Sequence, residues 1–293
     1  MFDIPSTIKA AVQSTHAVDS LPAIPTQDWV KRCAASVSHV CDRCVVLSLV
    51  ATLESRDDTI DVITSGVSIS TPSSTSEHDS RAIALQDRTE RLNRLGFSMP
   101  ESAHSVGLVA PISAIEPSWS TTPIGRALAG VQSSMPLLHA IPIKTKHANL
   151  WLLNFIGFEQ GVPQEQAQMT LYMLNALHRP LSTRAHDALS NVSNPRAWLT
   201  DREQSVLEEL IEGHSVRVIA EKLGRSAHTV HDHVKNLHKK IGASSRGELI
   251  AKALGHNHPG DTASVTDPVL MLFPSDQVAE FKPSHVMARP LRS

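Results

Sequence analysis

Six polar side chains crowd one short stretch of the 293-residue chain: His228, His231, Asp232, Lys235, Asn236 and Lys239. On a wheel at about 100° per residue they share one arc, while Val230, Val234, Leu237 and Ile241 fall on a narrow stripe opposite. An apolar stripe at that spacing must face a core. The remaining arc presents imidazoles, a carboxylate, an amide and ammonium groups, and no large apolar residue. These groups can hydrogen-bond base edges or neutralise phosphates. The chemistry they offer is recognition of a polyanion; none of them is arranged as a nucleophile with its base.

The charge balance agrees locally although not globally. The chain holds 27 Lys and Arg against 29 Asp and Glu, a net charge of −2, which by itself argues for no nucleic-acid partner. Within residues 225–246, however, Arg225, Lys235, Lys239, Lys240 and Arg246 stand against Asp232 alone, a local net of +4. Asp201, Glu203, Glu208, Glu209, Glu212 and Glu221 compensate on the preceding helices, which are expected to face away from the polyanion.

The elements that must position this arc are legible. Thr200-x-x-Glu203 is a capping box that opens a helix with Val206, Leu207, Leu210 and Ile211 as its buried stripe, closed by Gly213. Ser215 opens a second helix with Val218, Ile219, Ala220 and Leu223, ended by Gly224. Only Arg225 and Ser226 separate it from the third helix, capped by Ser226, and such a tight glycine-containing junction is a helix-turn-helix. A second box, Ser245-x-x-Glu248, opens a fourth helix with Leu249, Ile250, Ala253 and Leu254 before Gly255.

The stretch LTDREQSVLEELIEGHSVRVIAEKLGRSAHTVHDHVKNLHKKIGASSRGELIAKAL resembles, without gaps, the LuxR-type (LuxR/NarL/GerE) DNA-binding domain of bacterial transcription regulators. The LTxRE opening, the IAxxL second helix, the TVxxHV start of the third and the K-IG-x-x-SR junction all stand at the family's spacing. The resemblance is confined to this C-terminal domain. It implies double-stranded DNA as partner, the third helix in the major groove, and a homodimer paired through the fourth. It further implies base reading by His231, Asp232 and Lys235, backbone contacts from Ser226, His228, Thr229, Asn236, Lys239 and Lys240, and dimerisation through Leu249, Ile250 and Ala253. Many relatives have Lys after the Thr-Val pair where this chain has His231 followed by Asp232, so a different target sequence is expected. Asp232 can accept from a cytosine amino group and repels phosphate.

The N-terminal two thirds reads as α+β. Residues 1–25 form an arm. A helix over Thr26–Val40, capped by Thr26, precedes strands Cys44–Glu54 and Thr59–Ser70, joined by the turn Ser55-Arg56-Asp57-Asp58. Thr71–Ser80 is a loop, and Ala82–Leu95 a helix buried through Ile83, Leu92 and Leu95. Strands Val106–Ile115, Leu137–Ile143 and Leu150–Phe158 and a long helix over Pro163–Leu189 complete it. Residues 26–190 are thus expected to be a sensor or dimerisation domain, an antiparallel sheet with helices, broadly GAF- or PAS-like by fold analogy. Its signal would be a small molecule or a protein. Residues 191–198 form a linker whose Trp198 could anchor the two domains, 199–255 the all-α four-helix domain, and 256–293 a disordered tail in which Val269–Phe273 could dock.

With 41% apolar and 19% charged residues, the composition is that of a globular protein. The first residues lack the pattern of a secretory signal, and no apolar run approaches the roughly 20 residues needed to span a bilayer, so a cytoplasmic protein without a membrane partner is expected. Neither a Gly-rich phosphate loop nor a nucleophile elbow nor HExxH occurs, so no catalytic residue, cofactor or metal site is expected. A fused enzyme, or a trihelical unit acting only in protein–protein contacts, is the alternative. Cys33, Cys41 and Cys44, with His39, offer soft ligands for zinc or a redox pair, but no second ligand pair accompanies them, and they read as buried reduced thiols. Asp57 and Asp58 resemble a phosphoacceptor pair without the repeated βα units that a receiver needs. The aromatic and acidic pocket residues of acyl-homoserine-lactone-binding regulators cannot be placed, since Tyr172 is the single Tyr. Trp119 clamps the sheet or lines a pocket.

Overall fold

The computed structural model describes residues 4–26, 28–54, 59–70, 76–92, 94–128, 134–145, 149–159, 161–190, 198–254 and 267–272. The expected turn with Asp57 and Asp58, residues 71–75, residues 191–197 of the linker, Gly255 and the tail other than 267–272 lie outside those residues.

Six strands form one sheet: β1 (Cys44–Glu54), β2 (Thr59–Ser70), β3 (Leu108–Pro111), β4 (Ser134–Lys144), β5 (Asn149–Phe158) and β6 (Val269–Leu270), in the order β2-β1-β5-β4-β3-β6. All neighbours are antiparallel except β3 and β6, which are parallel. The sheet is therefore mixed. On one face α1 (Ile4–Asp19), α2 (Trp29–Ser38) and α6 (Gln164–Leu189) pack; on the other lie α3 (Ser76–Glu90), α4 (Ala103–Val106) and α5 (Pro123–Leu128). Strand β5 explains the layering. Leu150, Leu152, Ile156 and Phe158 enter the first core, while Trp151, Leu153 and Phe155 enter the second. A strand covered on both faces has no polar side to show, hence its apolar run, which only the buried Asn154 interrupts between Leu150 and Phe158. Helix α2 lies so close to β2 that a Cβ on Gly66 would stand 2.4 Å from the Lys31 nitrogen and 2.6 Å from the Val30 carbonyl carbon, so only glycine fits there.

Several expectations need correction. The arm contains a helix, α1, whose inward side is Ser14 and Val18 with Ala10 and Ala11 packed beside them, while Ile8 and Val12 point to solvent. Thr26 does not cap α2. Its hydroxyl donates to Asp28 Oδ1 (2.6 Å), and Asp28 holds the cap position. Helix α3 begins at Ser76, inside the expected loop, and buries Leu85 while Ile83 is exposed. The expected strand over 106–115 is reduced to β3 between α4 and a 3-10 turn at Ile112–Ala114. In the tail, Val269 N donates to Gly107 O (3.0 Å) and Met271 N to Val109 O (2.9 Å), so this part of the chain docks on the sheet. Trp29 and Trp151 are core residues, and Trp119 is half-buried against the second core. The three cysteines are free and buried.

The C-terminal helices are α7 (Asp201–Ile211), α8 (Val216–Lys222), α9 (Ala227–Ile241) and α10 (Arg246–Ala253). Their core gathers Val206, Leu207, Leu210, Ile219, Val230, Leu237, Ile241 and Leu249. Ile24 from the segment after α1 belongs to the same core. At this seam Leu199 N donates to Pro25 O (3.1 Å), and the Trp29 and Trp198 rings lie 6.4 Å apart, as expected for a tryptophan that anchors the two parts. Among the described residues no helix is long and apolar enough to cross a membrane.

Candidate nucleic-acid interface

The geometry of the third C-terminal helix follows from its ends. At the start of α9, Ser226 adopts extended backbone angles, and its hydroxyl accepts from Thr229 N at 3.1 Å, leaving the helix direction fixed at the first turn. Upstream, α8 stops at Leu223 and Gly224, and Arg225 N returns to Ala220 O at 2.9 Å, which makes the turn tight. Gly242 closes α9 in the left-handed conformation, where a residue without Cβ carries no steric penalty.

Between these ends the helix divides as its periodicity requires. Val230, Leu237 and Ile241 are buried and Val234 is half-buried against the same core. Ser226, His228, His231, Asp232, Lys235, Asn236 and Lys239 are exposed, and Thr229 is half-exposed. The base-reading candidates His231, Asp232 and Lys235 therefore share one open ridge with the backbone candidates. His228 Nε2 stands 3.7 Å from Asp232 Oδ2, one helical turn away, so the Asp232 carboxylate has a weak exposed partner on the ridge itself. His233 is half-buried.

Two assignments change. Lys240 is turned inward: its Nζ donates to Glu203 Oε2 (2.8 Å) and to the Trp198 carbonyl (3.0 Å). Its side chain is only 23% exposed, and a cation so committed is not available to a phosphate. Arg246, counted in the local positive charge, likewise donates to His214 O (2.7 Å) and supports the end of α7. Leu249 is fully buried in the domain's own core and cannot form a dimer face, whereas Ile250 and Ala253 are half-buried and Leu254 is 50% exposed. Periodicity alone could not separate these residues, because an i, i+3, i+4 pattern does not say which end of the stripe meets its own domain.

The acidic partners are also resolved. The Thr200 box is complete: Thr200 Oγ1 accepts from Glu203 N, and Glu203 Oε2 accepts from Thr200 N (2.9 Å). Burial pushes the Glu203 carboxyl up, but the Lys240 hydrogen bond and those of Thr200 outweigh it, and the net direction is down. The second box is half made. Ser245 caps Glu248 N, but the Glu248 carboxylate reaches past it to the backbone nitrogen (2.8 Å) and hydroxyl (2.5 Å) of Ser244, which with Lys252 hold its pKa at about 2. Glu209, Glu212 and His214 cluster behind α8 around the Lys222 ammonium, 2.8 Å from Glu209 Oε2. Lys222 Nζ also lies 3.6 Å from Glu212 Oε2, so its ammonium faces both carboxylates.

Comparison with known proteins gives this domain relatives. Residues 197–253 match the family described as GerE: bacterial regulatory proteins, luxR family. The transcriptional regulatory protein UhpA of Escherichia coli (strain K12) is 49% identical over 62 residues, 21% of this chain and 32% of that protein. The transcriptional regulatory protein FixJ of Azorhizobium caulinodans is 39% identical over 84 residues, 28% of this chain and 40% of that one. The chain thus spans a third or somewhat more of these relatives, and only through its C-terminal part. A crystal structure of Escherichia coli SdiA aligns over 85% of this chain and 97% of its own at 16% identity with a TM-score of 0.31, too low to carry an argument about the rest. Residues 197–253, with their complete Thr200 cap, tight α8–α9 turn and open α9 ridge, belong to the luxR family of bacterial regulatory proteins.

Proposed function

We propose that the chain is a sequence-specific regulator of transcription that binds double-stranded DNA, with α9 in the major groove. The observation that carries this reading is the open ridge of α9, cleared of apolar side chains while its opposite face is buried. A trihelical unit built only for packing has no reason to keep such a face. In this reading His231, Asp232 and Lys235 read base edges, and Ser226, His228, Thr229, Asn236 and Lys239 contact the backbone, as does the exposed Arg225 before the helix. Lys240 has no such role, since it braces the domain from inside.

A homodimer through α10 is part of the proposal. The exposed Leu254 and the half-buried Ile250 and Ala253 support it, and paired recognition helices would call for a two-fold symmetric target. The N-terminal domain, helices on both faces of one sheet, is proposed to sense a small molecule or protein and to bias the C-terminal domain through the Trp29–Trp198 seam. Catalysis has no place in this scheme, and a cytoplasmic location follows from a DNA target.

The test is selection of binders from a random duplex library with the full chain at two salt concentrations. A two-fold symmetric motif is the expected result. Recovery of the input composition at both salts would leave α9 without the role given to it here.

A further inference from the structure

Between α2 and β1 the chain runs Cys41-Asp42-Arg43-Cys44, with Asp42 and Arg43 forming a turn and Arg43 at φ 61°. A four-residue turn holds its end Cα atoms within about 7 Å, and disulfides need about 4.4–6.8 Å, so the two cysteines sit at bridging range. Their sulfurs face the same turn. Cys44 Sγ donates to Cys41 O (3.1 Å) and Cys41 Sγ to Asp42 O (3.0 Å), while Gln166 Nε2 from α6 donates to Cys41 Sγ (3.3 Å) and to Asp42 O (3.1 Å). Cys41 Sγ thus accepts from the Gln166 amide, a donor that would stay with it as a thiolate once its own proton has left the Asp42 carbonyl. It keeps 5% exposure, whereas Cys44 is closed off behind it. Cys33 is different: it is buried under the sheet with Asn154 Oδ1 as its neighbour (3.7 Å).

We propose that Cys41 and Cys44 form a two-electron redox site, in which a hydroperoxide oxidises Cys41 and Cys44 resolves it to an intramolecular disulfide. The Cys41 thiolate attacks the peroxide oxygen, the O–O bond breaks, Cys41 becomes the sulfenic acid, and the departing hydroxide takes up a proton. Cys44 then loses its proton and attacks the Cys41 sulfur; the S–S bond forms, and the sulfenic oxygen leaves as water. In sum two thiols lose two electrons and two protons, and one hydrogen peroxide becomes two waters. The division of labour agrees with the environment. The hydrogen bond from Cys44, followed by burial acting against it, leaves the Cys41 thiol lowered, while the same pairing and burial push Cys44 well up. Burial pushes Cys33 up to about 12, which makes it an internal control that stays reduced.

The experiment treats the folded full chain with hydrogen peroxide, alkylates what remains free, and maps the peptides by mass. Loss of two free thiols, a Cys41–Cys44 linked peptide lighter by two hydrogens, reversal by dithiothreitol and a free Cys33 are expected. In Cys44→Ser, dimedone is expected to trap a sulfenic acid on Cys41, and in Cys41→Ser no adduct forms. Retention of all three thiols by the wild-type chain, oxidation of Cys33 at a similar rate, or a disulfide between two chains would overturn the proposal. The readout is independent of any DNA.

Discussion

Replacing Lys240 by Met separates two roles that sequence alone assigns to one residue. Its ammonium joins the Glu203 carboxylate at 2.8 Å and the Trp198 carbonyl at 3.0 Å, with side-chain exposures of 23% for Lys240 and 5% for Glu203. An exposed ion pair contributes about 0–1 kcal/mol, and breaking a buried one costs about 3–5 kcal/mol. This pair lies between. After Lys240→Met, Glu203 keeps both Thr200 hydrogen bonds, so about 1–2 kcal/mol is expected. Glu203→Gln leaves the ammonium with a carbonyl and a neutral amide, for about 2–3 kcal/mol. The double variant should fall short of the sum by about 1 kcal/mol, since the residues touch. A chain of two domains need not unfold in one step, so the assay is hydrogen exchange of α7 and α9 amides, with salt dependence of DNA binding beside it. Each phosphate contact contributes about 0.9 to the slope of log K against log salt. Lys240→Met should leave that slope alone and speed exchange, while Lys239→Ala should reduce the slope by about one. If Lys240→Met instead lowers the slope by about one and leaves exchange unchanged, the inward assignment is wrong.

Other outcomes follow from the same geometry. Leu249→Ala should destabilise the C-terminal domain by about 2–5 kcal/mol because it opens a hole in the core, whereas Leu254→Asp should weaken self-association measured by sedimentation and leave the melting temperature nearly unchanged. In the N-terminal domain His139 Nε2 and His178 Nδ1 lie 3.0 Å apart in the core, and burial pushes both down, His178 to about 4. Both forms of the chain hold these imidazoles neutral above pH of about 6.5; below it the unfolded chain takes up protons that the folded one refuses, and stability falls until the folded pKa is reached. For His178 alone this amounts to about 2 kcal/mol between pH 7 and pH 5, read as a lower urea midpoint, and an unchanged midpoint would contradict it. Gly66→Ala should destabilise strongly, since the new Cβ meets α2 backbone and not a movable side chain, and a melting temperature equal to wild type would show that α2 can retreat.

What was legible in the sequence tracks how strongly local chemistry constrains the chain. Thr200, Ser215 and Ser226 all cap the helices they were expected to open, because a hydroxyl beside an unsatisfied amide needs no distant partner. Strand β5 was legible because both its faces are apolar. Helix α1 was hidden, since its inward side is Ser14 and Val18 with two alanines and its larger residues Ile8 and Val12 point outward, the reverse of an apolar stripe. In α3 the same difficulty reversed the choice between Ile83 and Leu85. On the candidate interface the residue types were legible, but the inward turn of Lys240 depends on Glu203, 37 residues away, and on the Trp198 carbonyl, and no periodicity encodes that.

The central claim is that the ridge of α9 reads base sequence. It is tested most directly by anisotropy titrations of the full chain and of Lys235→Ala against a selected duplex and its single-base-pair variants at matched salt. Loss of discrimination at one base pair by about 1–3 kcal/mol, with the other positions unaltered, is the predicted result. A uniform loss at every position, or equal affinity of the wild-type chain for all duplexes, would contradict the account.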